Sequence, residues 1–300
     1  MELIDRILGR RTGSVFGDYH AVRTIYEGEK SRVYEGSMAG SDETVAIKLF
    51  TPAYERTVTL MTKRHRIPWE GEVGMALNPP DGVAGDEYPI VRTILHGREF
   101  GRRSGCRYIV LEYVHGIGLR TLIQNRHIIL TDMRRQITSQ LCRALALIHA
   151  KGMIFRDVNA ENVIVRLDGR VKLIDLGFVA PSGIVFEERA GTPSYMSPEQ
   201  IKGGELRPAT DIYSLGALFH EMVFGRLPFT TGTAADTPIR ALQRRNEIMK
   251  MHLEAELPQP SEEDARLAGG FLPIIRRCLA KEPDARFSDA AELLEEIEKL

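Results

Sequence analysis

Cysteine is scarce in this sequence: 300 residues contain three, Cys106, Cys142 and Cys278. They are too few and too widely spaced for a disulfide framework or a metal knot, and they read as reduced thiols of a cytoplasmic protein. An excess of charge of one sign is lacking too, since 40 Lys and Arg face 41 Asp and Glu. Without a basic surplus the chain is not expected to bind nucleic acid. No apolar run approaches the roughly 18 residues of a membrane span, and the opening "MELIDRILGR" is not a signal peptide. Internal repeats and low-complexity tracts are also missing. What remains is ordinary globular material, 43% hydrophobic and 27% charged. Its length suits one large domain or two lobes sharing a cleft.

The first third carries short strand signals. "SRVYEG" and "ETVAIKLF" flank the turn-like "SMAGSD" as a hairpin. In the second strand Val45, Ile47 and Leu49 point one way, Ala46 and Lys48 the other. "NPPDGVAGDEYP" is a loop by composition, and "IVRTILHG" and "CRYIVLEYV" are two further strands joined by the basic tip "REFGRRSG". The first residues form a candidate amphipathic helix, with Leu3, Ile4, Ile7 and Leu8 on one side. After Val114 the pattern turns helical: Ile137, Leu141, Leu145 and Ile148 mark a helix over 131–150. Two short strands, "NVIV" and "VKLID", interrupt it around "RLDGR", and "FSDAAELLEEIEKL" reads as a closing helix. The expected organisation is an N-terminal extension over 1–19, a strand-rich lobe over 20–113 and a helix-rich lobe over 114–300, hinged at "LEYVHG".

Within this frame "FRDVNAENVIV" places Asp157 and Asn162 five positions apart in a loop before a strand. Lys48 lies in "VAIK", Asp175 in "DLG", and "GTPSYMSPE" spans 191–199. "DIYSLG" at 211–216 and Arg286 in "CLAKEPDARFS" follow. In this order the motifs resemble the eukaryotic-type, or Hanks-type, Ser/Thr protein kinases, in the manner of the bacterial branch, over about residues 20–300. The resemblance implies an α+β, bilobal protein-kinase fold: an antiparallel N-lobe sheet with the helix αC, and a mostly helical C-lobe.

It also implies roles. Lys48 would meet the α- and β-phosphates of ATP, aimed by a helix carboxylate, with Glu72 the candidate and Glu70 the second choice. Asn162 and Asp175 would hold Mg²⁺, with Mn²⁺ an alternative, since hard cations take oxygen ligands. Asp157 would accept the proton of the substrate hydroxyl. Gly28 belongs to the phosphate loop. Val33 and Ala46 would roof the adenine, Ile164 would floor it, Leu111 would act as gatekeeper, and the backbone of Glu112 and Val114 would supply hydrogen bonds. The implied partner is a protein substrate offering Ser or Thr. Glu199 is expected to pair with Arg286, and Asp211 to accept backbone hydrogen bonds from the 155–157 turn.

The sequence departs from the pattern in three places. The phosphate loop "YEGEKSRV" keeps only Gly28, with Tyr26 and Ser31 where glycines are usual. Phe155 stands where His or Tyr is usual, and Leu176 in "DLG" stands where Phe is usual. Asn159 stands where a lysine normally neutralises the transferring phosphoryl group, and Lys30 at the loop tip is the candidate replacement. Before Gly191 the activation segment offers one hydroxyl, Ser182, and Glu188 is a candidate built-in anion for Arg156. The leading expectation is an active Ser/Thr protein kinase. The alternatives are an ATP-binding pseudokinase serving as switch or scaffold, and a small-molecule phosphotransferase, against which "GTPSYMSPE", "DIYSLG" and Arg286 argue.

Overall fold

Five antiparallel strands build the sheet of the first unit: β1 Tyr19–Glu27, β2 Ser31–Met38, β3 Thr44–Phe50, and, after helices α1 Pro52–His65 and α2 Glu70–Ala76, β4 Thr93–Arg98 and β5 Arg107–Glu112. The spatial order is β1-β2-β3-β5-β4. The computed structural model describes residues 16–65, 67–98, 105–125, 131–232 and 237–300. The expected N-terminal helix and the tip of "REFGRRSG" lie outside them. The chain divides into two compact units, Met1–Asn78 with Val91–Tyr113, and Pro79–Ile90 with Val114–Leu300.

Strand periodicity sorts the side chains of the first unit into two faces. On one, Tyr34, Val45, Ile47, Tyr108 and Val110 close a core around Phe16, with Leu49 against it. On the other, Phe50, Ile109 and Trp69 cluster. Cross-strand register puts Lys48 on this second face, opposite both Val33 and Ile109. Helix α2 crowds β4 closely. A Cβ at Gly74 would lie 2.0 Å from Thr93 Oγ1, and one at Gly71 would lie 2.6 Å from His96 Cβ. Only glycine permits that approach.

The second unit contains strand β6 Ile117–Gly118, helices α3 Leu119–Gln124 and α4 Thr131–Ala150, strands β7 Met153–Ile154, β8 Val163–Val165, β9 Val171–Leu173, β10 Ala180–Pro181 and β11 Ile184–Val185, helix α5 Pro198–Lys202, strand β12 Glu205–Leu206, and helices α6 Pro208–Phe224, α7 Pro238–Glu254, α8 Glu262–Ala268, α9 Phe271–Cys278 and α10 Ala290–Ile297. Helix α4 buries Ile137, Leu141, Leu145 and Ile148, as its spacing predicts. Helix α6 is buried on all sides from Ala209 to Val223 and forms the axis of the unit. Asp289 starts α10 by accepting from the amides of Ala291 and Glu292, a side-chain cap of the usual kind. The segment Pro79–Ile90 joins this unit through a 2.8 Å bond from Leu173 N to Pro89 O and a 2.6 Å bond from buried Lys172 Nζ to Gly85 O. No described helix is long and apolar enough to cross a membrane.

One ion pair ties the segment after Gly191 into this unit. Arg286 donates from both terminal nitrogens to Glu199, at 2.8 and 2.9 Å, and also to the carbonyl oxygens of Ala209, Ala280 and Lys281. Its side chain is fully buried. Burial alone would raise the Glu199 pKa, but the Arg286 bonds hold it below the ordinary glutamate value. A depressed carboxylate pKa contributes stability above the unfolded value, roughly 4.3, that is lost as pH falls through the folded one. Arg286→Met leaves the Glu199 charge buried without its partner and should lower unfolding free energy by about 3–5 kcal/mol at pH 7. Urea titration should show the gap to wild type narrowing below about pH 4; a loss under about 1 kcal/mol at pH 7 would contradict this role of the pair.

Candidate active site

In the first unit, Lys48 Nζ lies 2.8 Å from Glu70 Oε1 and 3.1 Å from Oε2, with both residues buried. Glu70, and not Glu72, is therefore the partner of Lys48. Helix α2 begins at Glu70, and residues two apart on a helix face opposite ways. Glu72 instead turns back to accept from Trp69 N at 3.1 Å, capping the first turn. Val33 pairs with Lys48 across β2 and β3, and Ala46 pairs with Leu111 across β3 and β5. These half-buried apolar residues share the Lys48 face. Glu112 donates its amide to Arg92 O at 3.0 Å, within the same unit.

The hairpin tip between β1 and β2 closes through Gly28 N to Ser31 O at 3.0 Å. It is anchored by Thr51, which donates from its amide to Lys30 O and from its hydroxyl to Glu29 O. Lys30 Nζ sits 5.8 Å from the centroid of the Tyr54 ring on α1. The aromatic face that holds it there belongs to the sheet's own helix.

In the second unit the loop from Phe155 to Asn162 hangs on the buried carboxylate of Asp211. Asp211 accepts from Phe155 N at 2.7 Å, Arg156 N at 2.8 Å and His149 Nε2 at 2.9 Å. Held in this way, Arg156 adopts φ 69°, a left-handed conformation that an L-residue keeps only when its surroundings impose it. The Arg156 guanidinium is buried and stacks 3.8 Å from the centroid of Phe186. Burial pushes its pKa down to about 10, with Asp211 and Glu188 offsetting part of the effect. Glu188 thus acts on Arg156 by charge, while the Phe186 ring makes the close contact.

Asp157 is oriented from two sides. Thr192 donates to its Oδ1 from amide and hydroxyl, both at 2.8 Å, and Asn162 Nδ2 donates to its Oδ2 at 3.2 Å. Burial raises the Asp157 pKa above the ordinary aspartate value; the Thr192 bonds oppose this and the charge of Asp175 adds to it. Asn162 Nδ2 also donates to Asp157 O at 2.9 Å, and Asn162 O accepts from Ile174 N at 2.8 Å, which ties this loop to the strand before Asp175. Asp175 has φ 63° and accepts from Gly177 N at 3.3 Å. Ile164 lies half-buried on β8, opposite Lys172.

Asn159 occupies the place of the expected lysine as a structural clamp. It is buried, accepts from Glu161 N at 2.8 Å, and donates to Asp157 O at 3.0 Å and Thr192 Oγ1 at 3.2 Å. Gln200 adds a second clamp, donating to Arg156 O at 2.9 Å and Ala190 O at 3.3 Å. Tyr195 donates to Glu221 on α6 at 2.5 Å, and Arg120 on α3 bonds to both. Thr192, Gln200, His149 and Arg120 escape sequence reasoning because each acts through polar contacts to residues distant in sequence, which no local pattern announces. Among the described residues, no cluster of three or more His, Cys, Asp and Glu could hold a metal ion.

Comparison with known proteins agrees with this arrangement. The model of the protein kinase domain family matches residues 19–297. Among curated relatives, serine/threonine-protein kinase PknH of Mycobacterium bovis is 26% identical over 287 residues, covering 94% of this chain and 44% of the relative. The probable serine/threonine-protein kinase SCO3848 of Streptomyces coelicolor is 28% identical over 295 residues, covering 96% and 40%. Serine/threonine-protein kinase PknB of Mycobacterium tuberculosis is 31% identical over 192 residues, covering 62% and 29%. The chain thus spans less than half the length of these relatives. All three are named as kinases, which lends no support to the pseudokinase alternative. With the family match over nearly its whole length, and the five-stranded sheet and helical unit each built as that fold requires, the chain belongs to the protein kinase domain family.

Proposed function

We propose that this chain is a serine/threonine protein kinase, transferring the γ-phosphoryl group of ATP to Ser or Thr hydroxyls of a protein substrate. The observation that carries this reading is the Asp157 carboxylate, fixed by Thr192 and Asn162 with its pKa raised by burial. A carboxylate so held can orient a hydroxyl and take its proton as the oxygen attacks phosphorus, and a raised pKa makes it a better base. Lys48, aimed by Glu70, is the cation for the α- and β-phosphates. Val33, Ala46 and Leu111 are the apolar residues that the first unit offers the adenine. Val114 and the Glu112 carbonyl are its hydrogen-bonding partners, since the Glu112 amide is committed to Arg92 O.

The residues fit a divalent cation. Asn162 spends its amide nitrogen on Asp157, so its carbonyl oxygen is the ligand atom left to it, and Asp175 adds a carboxylate. Mg²⁺ is bound through one or two carboxylates, completing its shell with phosphate oxygens and water, and Mn²⁺ accepts the same hard donors. When bound, the metal neutralises charge on the phosphates. Asn159, committed to Asp157 and Thr192, holds the loop and contributes no charge. The buried free thiols of Cys142 and Cys278 support a reducing, cytoplasmic setting.

Incubation with Mg-ATP and a mixed protein substrate, followed by mass-spectrometric site mapping, should find phosphate on Ser and Thr. Asp157→Asn should reduce transfer by about 10²–10⁴-fold, the usual worth of a general base. Absence of wild-type transfer, or full transfer by Asp157→Asn, contradicts the proposal. The rate should fall as pH drops through the raised Asp157 pKa, so the acid limb should lie above the ordinary aspartate range near 4. The corrected pairing gives a separate expectation. Glu70→Gln should slow transfer at least about tenfold by releasing Lys48. Glu72→Gln should keep the rate within about twofold, weakening only a helix cap worth about 1 kcal/mol. Equal rate losses in the two would reject the assignment of Glu70.

A further inference from the structure

Tyr26 stands where the phosphate loop lacks a glycine, and the sheet turns it toward the ligand face. Along β1 and β2, Thr24 pairs with Tyr34 and Tyr26 pairs with Val33, so Ile25 is an extra residue in a β-bulge. Without the bulge, alternation would put Tyr26 on the same face as Thr24, the side of the Tyr34 core. With it, Tyr26 opposes Val33, which in turn opposes Lys48. Bulges commonly re-aim a side chain beside an active site. The Tyr26 ring then reaches along the hairpin to its tip: a Cβ built on Gly28 would lie 2.3 Å from the Tyr26 hydroxyl and 2.7 Å from its ring carbon Cζ. Tyr26 nevertheless remains 58% exposed as a residue. It is an accessible phenol set against the one glycine of the loop, in the cross-strand row that runs through Val33 and Lys48.

We infer that Tyr26 is a nucleotide-contacting residue whose hydroxyl donates a hydrogen bond to a phosphate oxygen of ATP. This rests on the reading of the Lys48 face as the nucleotide site. A phosphate near Lys48 and the Gly28 turn lacks the close backbone wrap that further glycines would allow. Lys30, the candidate replacement cation, does not fill the gap, since it lies over Tyr54. A phenol donor on this face makes a charge-assisted bond to a phosphate without adding a buried charge. The contact also accounts for Gly28, because any side chain there would displace the ring.

The test is calorimetric binding of ATP, ADP and adenosine, with Mg²⁺, to wild type, Tyr26→Phe and Tyr26→Ala. Tyr26→Phe keeps the ring and its packing on Gly28 and loses only the hydroxyl. It should weaken ATP and ADP about tenfold, the worth of one hydrogen bond to a charged group, and leave adenosine within about twofold. Tyr26→Ala should weaken ATP at least as much. If wild type binds ATP and Tyr26→Phe binds it equally well, the contact is refuted while the nucleotide site stands. Tighter ATP binding by Tyr26→Ala would likewise refute it, showing the ring to be an obstruction. If wild type binds none of the three ligands, the nucleotide reading itself falls, and the Tyr26 contact with it.

Discussion

The buried carboxylate of Asp211 is the interaction on which the catalytic loop depends. It sits in α6, the helix enclosed on all sides by the second unit, and meets two successive amides and one imidazole. An unpaired carboxylate at that depth would be strongly destabilising; three donors remove the difficulty and fix three groups at once. One result is the left-handed Arg156, which no local preference would produce. That conformation sends the chain into the turn where Asp157 faces Thr192 and Asn162. Ala290 N donates to His149 Nδ1 at 3.3 Å, so His149 presents its Nε2 proton to Asp211 and links the loop to the start of α10.

Around this anchor the polar clamps are redundant. Asn159, Thr192 and Gln200 each join the loop to the segment after Ala190, and Arg286 with Glu199 fastens that segment from the other side. None of these contacts requires a phosphate. Arg156 is accommodated by the Phe186 ring and the charge of Glu188, and β11 pairs with β12 just before them. The activation segment is thus held by side chains already in the sequence. A lysine at position 159 would have no acceptor for the Glu161 amide that Asn159 Oδ1 now holds, so the departure from the family pattern exchanges a charge for a cap on the turn after the loop.

Much of this was legible in the sequence because it is periodic or punctuated. The alternation in "ETVAIKLF" separates the Val45 and Ile47 core from the Lys48 face, and helical spacing marks α4. The expected roles of Asp211, and of Glu199 with Arg286, rested on their place in long motifs. What could not be read depends on a single residue of phase. Choosing between Glu70 and Glu72 needs the first residue of α2, which "RHRIPWEGE" leaves open, because either carboxylate has suitable neighbours. The orientation of Tyr26 depends on an inserted Ile25, and a bulge has no signature in a sequence so rich in β-formers. Thr192 and Gln200 act on atoms more than 30 positions away, beyond any local pattern.

Hydrogen exchange on Asp211→Asn reports whether the Asp211 carboxylate holds the loop in place. The asparagine keeps the shape of the side chain but presents an N–H₂ to one of the two amides now bound, replacing an acceptor with a donor. The account predicts that protection at the Phe155 and Arg156 amides collapses and that phosphoryl transfer falls by about 100-fold or more through misplacement of Asp157, while the helices of the second unit stay protected. Wild-type protection of those two amides together with wild-type transfer would contradict it.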